Sequence, residues 1–68
     1  MAQQTNNTGT SLRSLRRLAG LTLEDVAAQA DTSVSYLSKV ETGRYEPTRV
    51  YVAKVTAIIA DALAKTAA

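Results

Sequence analysis

The chain has no cysteine, no histidine, no phenylalanine and no tryptophan, and a single proline among its 68 residues. Without cysteine there is no disulfide framework, no thiol chemistry and no thiolate metal site. Without histidine the commonest general base and the commonest zinc ligand are both missing. No metal and no other cofactor is therefore expected. Three tyrosines are the only aromatics, so a core must be assembled from small aliphatic side chains. No apolar run reaches the ~18 residues of a membrane span. The most apolar stretch, Val50 to Ala64, is broken by Lys54, Thr56 and Asp61. Met1 to Thr10 is polar and uncharged, unlike a secretory leader, so a cytoplasmic protein is expected.

What is present favours helices. Hydrophobic residues make up 46% of the chain, twelve of them Ala, with seven Leu, six Val and two Ile. A chain of this length makes one small domain and buries only about 60% of the surface it exposes when unfolded. The net charge of +2 is too small to argue for a polyanion partner by itself. Its distribution says more. Residues 1–20 carry Arg13, Arg16 and Arg17 with no acid, and residues 21–31 carry Glu24, Asp25 and Asp31 with no base.

Residues 1–10 have neither charge nor a large apolar residue after Met1, and are expected to be a disordered arm. Punctuation divides the domain, residues 11–68, into four helices. Thr10 or Ser11 caps the first, which presents Leu12, Leu15 and Leu18/Ala19 at helical spacing and stops at Gly20. Thr22 opens the second, with Asp25 in the place of a capping-box acid and Val26, Ala27 and Ala30 facing inward. Ser33 caps the third, which turns Leu37, Val40 and Tyr36 inward and ends near Thr42 and Gly43. Pro47 and Thr48 introduce a long last helix, roughly 30 Å if continuous. Its apolar stripe runs through Tyr51, Val52, Val55, Ile58, Ile59, Ala62 and Leu63, its wet stripe through Lys54, Asp61 and Lys65. Ala53, Ala57, Ala60 and Ala64 form a ridge of small residues.

Two short helices joined by about three residues must cross steeply, which throws the outer face of the second away from the body. Gly20 to Pro47, GLTLEDVAAQADTSVSYLSKVETGRYEP, carries an ordered pattern. It runs Gly-apolar-Thr, then an apolar-Ala pair, a Ser-initiated helix, Glu-x-Gly and a following Pro. This pattern resembles the lambda-repressor/Cro-like helix-turn-helix family, and the likeness extends back to Leu15-Arg16 and forward to about Ile59, roughly two-thirds of the chain. Two positions depart from it. Asp31 stands where the family's turn usually has Gly, and Leu23 stands where a phosphate-donating Gln is frequent.

The resemblance implies an all-α, compact bundle of about four helices that binds double-stranded DNA. Base-edge readers would be Val34, Ser35 and Lys39. Thr22, Ser33, Ser38, Thr42 and Arg44 would be supporting or backbone contacts. Arg16 and Glu41 match a family ion pair that holds the recognition helix. The chemistry agrees, since Lys39 can donate to guanine O6/N7, Ser35 can pair with several bases and Val34 suits a thymine methyl. Without the pattern, three serines and a lysine on one helix would be an ordinary solvated face.

The function expected is a sequence-specific transcriptional regulator, a small repressor of the phage or bacterial type. It would act by occupancy, as a weak homodimer on DNA through the alanine ridge. Two rivals stay open: a protein-binding regulator (an antitoxin-like or adaptor module) that grips with the last helix, and an accessory factor of recombination or excision. An enzyme is not expected, because six dispersed carboxylates offer no nucleophile–base pairing. No small-molecule substrate is evident.

Overall fold

The computed structural model describes residues 8–67. Four helices follow in order, α1 Thr8–Leu18, α2 Leu23–Ala30, α3 Val34–Glu41 and α4 Arg49–Ala67, and no strand occurs among the described residues. The all-α class and the number of helices agree with the sequence pattern. α1 packs on α3 and α4, and α2 packs on the same two helices. Leu12, Val26, Ala27, Ala30, Leu37, Val40, Val55 and Ile59 form the buried core. All are aliphatic, as the shortage of aromatics requires.

The joints explain the boundaries. Thr22 Oγ1 accepts from the Asp25 amide at 3.0 Å, and the Thr22 amide donates to Asp25 Oδ2 at 2.9 Å, a reciprocal cap. Ser33 Oγ accepts from the Tyr36 amide at 2.9 Å, and Thr48 Oγ1 from the Tyr51 amide at 3.1 Å. Asp31 closes α2 in the left-handed conformation, φ 57° and ψ 48°, with its amide on the Ala27 and Ala28 carbonyls. The turn thus keeps its shape without a glycine, because Asp tolerates this region better than most side chains. The Lys54 ammonium reaches the Ala30 carbonyl at 3.3 Å, so a lysine expected on the wet stripe of α4 places positive charge at the C-terminus of α2.

Three expectations about the first helix need correction. Neither Thr10 nor Ser11 caps it, because helix already begins at Thr8. Thr8 to Thr10, placed in the arm by the sequence, therefore belong to α1, and the rest of that arm lies outside the described residues. The cause is Gly9, which is buried against the end of α3. A Cβ there would collide with the Val40 carbonyl oxygen and lie 3.0 Å from its carbon. Further along, Leu18 is 71% exposed and Leu15 36% exposed, whereas the charged Arg16 is buried. The inward stripe of α1 therefore runs through Gly9, Leu12 and Arg16.

Candidate nucleic-acid interface

α3 is two-faced. Leu37 and Val40 are fully buried, and successive turns of ~100° per residue put Ser35, Ser38, Lys39 and Thr42 together on the other side. Ser35 and Thr42 are exposed, Ser38 and Lys39 half-buried. Val34, at the first turn, is 37% exposed. The eight residues of α3 thus present hydroxyls, one ammonium and one apolar side chain outward.

Several of these groups already have internal work. The Ser33 hydroxyl oxygen caps α3, which leaves its proton free to donate. The Thr42 hydroxyl donates to the Lys39 carbonyl at 3.2 Å, which leaves its lone pairs. At the start of α2 the Asp25 carboxylate occupies the Thr22 amide. The backbone donors left to an incoming phosphate at that helix end are the Leu23 and Glu24 amides. Asp25 and Glu24 put two negative charges beside them, so this terminus is a weaker anion seat than its position suggests. Asp25 itself is held below the usual carboxylate range, first by the Thr22 backbone amide and then by the Thr22 side chain.

α1 brings the basic component. Arg13, Arg16, Leu23, Ser38, Glu41 and Thr42 line a small crevice of about 150 Å³ where α1, the start of α2 and the end of α3 meet. Ser38 and Thr42 are therefore joined there by Arg13, which the sequence marked only as one of three bases in an acid-free stretch. The signal that could have found it is its place one helical turn before Arg16. Arg16 Nε donates to Glu41 Oε2 at 2.7 Å and a second guanidinium nitrogen to Glu41 Oε1 at 2.9 Å. The third donates to the Leu21 carbonyl at 2.9 Å. One guanidinium thus ties the end of α3 to the α1–α2 turn. Its side chain is 11% exposed and that of Glu41 4%. The hydrogen bond to Glu41 raises the Arg16 pKa above its ordinary value against the opposing effect of burial, so the guanidinium keeps its charge.

Beyond α3, Gly43 turns the chain with φ 81°. Arg44 and Tyr45 fold back so that both amides donate to the Lys39 carbonyl, at 2.8 and 3.3 Å. Arg44 is exposed at this corner. Two eight-residue helices joined by a three-residue turn, the second exposing a polar face, form an arrangement whose second helix can enter a major groove.

Comparison with known families decides the matter: residues 9–64 match the model of the helix-turn-helix domain. The chain belongs to that family. A helix-turn-helix domain is a DNA-binding module, so DNA-binding regulator is the function that membership supports, in a family typically without enzymatic activity. No curated protein and no solved structure matches the chain. Among the described residues of this helix-turn-helix protein no helix is long and apolar enough to cross a membrane.

Proposed function

We propose that this helix-turn-helix protein is a sequence-specific transcriptional regulator of the lambda-repressor/Cro-like type that represses by occupying its site. α3 enters the major groove. Val34, Ser35 and Lys39 read base edges, while Thr22, Ser33, Ser38, Thr42 and Arg44 hold the backbone or support the readers. Arg16 and Glu41 keep α3 at its angle and touch no base. The observation that carries this reading is the polar outer face of α3, set against an inner face that is completely buried. The protein would work in the cytoplasm, on the nucleoid, without a small-molecule ligand.

One subunit offers few cations to phosphate, so useful selectivity at physiological salt calls for two subunits on a two-fold site. The outer side of α4 has a groove of about 630 Å³ suited to that contact, with Val52, Ala53, Ala57 and Ala60 in its wall and Glu46 and Arg49 at one end. An acid and a base on the same patch are self-complementary across a two-fold axis. The same groove favours the second reading, a regulator whose α4 holds a different protein.

The test is selection from random DNA followed by titration at several salt concentrations. Selective, salt-sensitive binding without a partner is expected. Arg44→Ala should weaken binding to all sequences alike and reduce the magnitude of the salt slope by about 1 per site. Lys39→Ala should cost roughly 1–3 kcal/mol on the preferred site and relax one base pair. Binding that needs a protein partner would favour the second reading.

A further inference from the structure

Lys39 is held from both ends. Its carbonyl oxygen accepts from the Arg44 amide at 2.8 Å, the Tyr45 amide at 3.3 Å and the Thr42 hydroxyl at 3.2 Å. Its ammonium lies over the ring of Tyr45, 5.4 Å from the centroid, within cation–π range. That ring is itself placed by others. Tyr45 stacks obliquely on Tyr36 at 5.6 Å, and Tyr36 meets Tyr51 edge-on at 5.1 Å. Tyr51 belongs to α4 and packs against the core, with its hydroxyl buried and without a hydrogen-bond partner. Burial pushes the Tyr51 pKa up, an effect that the nearby Thr32 side chain partly opposes. All three tyrosines of the chain thus form a train from α4 through α3 to the loop, and the train ends at one lysine.

Tyr45 is 45% exposed, so the core does not require it. We propose that Tyr45 is a positioning residue for DNA reading, whose ring face holds the Lys39 side chain in the pose that meets a base edge. The proposal rests on the reading of Lys39 as a base contact. Lysine has more rotamer freedom than almost any side chain, and a contact that must first order it loses affinity. A ring under one side of the ammonium fixes the four-carbon stem and leaves donors on the other side for guanine O6 and N7. Backbone phosphates are held elsewhere, so the ring acts on selectivity and leaves general affinity alone.

The experiment measures the ratio of dissociation constants for the preferred site and for the same site with the Lys39 base pair exchanged, at fixed salt. It uses the full chain with Tyr45→Leu, Tyr45→Phe, Lys39→Ala, and Lys39→Ala combined with Tyr45→Leu. Thermal melts check that each variant folds. Tyr45→Leu keeps the bulk and removes the π face, and should shrink the ratio about two- to fivefold, the strength of an exposed cation–π contact. Tyr45→Phe should keep the ratio, and the salt slope should be unchanged in both. In the Lys39→Ala background, Tyr45→Leu should have no further effect on the ratio. A ratio that survives or grows in Tyr45→Leu, or that falls equally with and without Lys39, overturns the proposal while leaving Lys39 a reader. A ratio indifferent to Lys39→Ala shows that Lys39 reads no base, and both fall together.

Discussion

Single residues in this small domain carry effects whose sign depends on one neighbour. A glycine in a helix ordinarily destabilises it by roughly 0.5–1 kcal/mol relative to alanine. Gly9 reverses this, because the methyl of alanine would meet the Val40 carbonyl, backbone that cannot swing aside. Gly9→Ala should cost about 1–3 kcal/mol, the usual result of overpacking, and lower the melting temperature by roughly 4–8 °C per kcal/mol. A melting temperature that rises instead would mean α1 does not sit this close to α3. Arg16 and Glu41 raise the stakes further. Removing one partner leaves the other, a largely buried charge, unpaired, at a cost of about 3–5 kcal/mol, comparable with the whole stability of such a chain. Arg16→Met with Glu41→Leu removes both charges, and should recover most of that loss. Urea denaturation of the two singles and the double is the measurement. Losses that simply add would show that the two side chains are energetically independent.

At the scale of the helices, α2 and α3 were legible because their boundaries are written in local chemistry. Thr22, Ser33 and Thr48 each bond an amide three residues on, and Gly20, Asp31 and Gly43 each take positive φ. The start of α1 was not legible, because Gly9 earns its place only through a contact with Val40, 31 positions away. Periodicity likewise preferred Leu15 and Leu18 to Arg16, since hydropathy alone cannot know that an arginine will find a carboxylate 25 residues on. For the candidate interface, the sequence marked out one face of α3 but not the crevice with Arg13 or the tether on Lys39, both of which come from separate helices or loops meeting in space. The α2 cap also makes stability depend on pH. Asp25 titrates below its ordinary range in the folded chain, so as pH falls the unfolded state takes up the proton first. The cap's contribution is complete above the ordinary aspartate pKa of about 3.9 and disappears as pH falls through the lower folded value. The difference in melting temperature between wild type and Asp25→Ala should accordingly be constant above about pH 5 and narrow in more acid solution. A difference that stays the same down to the lowest pH at which both fold would show that the Asp25 charge plays no part.

The described residues span 39 × 25 × 18 Å. α4 buries Val55 and Ile59 and leaves Ala53, Ala57, Ala60 and Ala64 to solvent. Small side chains would let a second α4 approach closely, with Glu46 of one copy able to face Arg49 of the other. Alanines bury little apolar area, however, so at about 25 cal/mol per Å² such a contact would be weak in free solution and would form mainly when DNA holds two copies side by side. Ala57→Glu tests this without touching the core, because Ala57 is exposed, and Ala57→Gln controls for the added bulk. On DNA with one half-site all three proteins should bind alike, apart from a small loss for the glutamate through general repulsion. On two half-sites about one helical turn apart, wild type should bind cooperatively, Ala57→Gln less so, and Ala57→Glu as two independent subunits. Raising salt should narrow the gap between the two variants if the buried charge is what separates them. If Ala57→Glu fills the paired sites as cooperatively as wild type, α4 is not the contact between subunits. If wild type shows no preference for paired sites and a different protein protects α4 instead, the groove serves that partner, and the regulator works through it rather than through a second copy of itself.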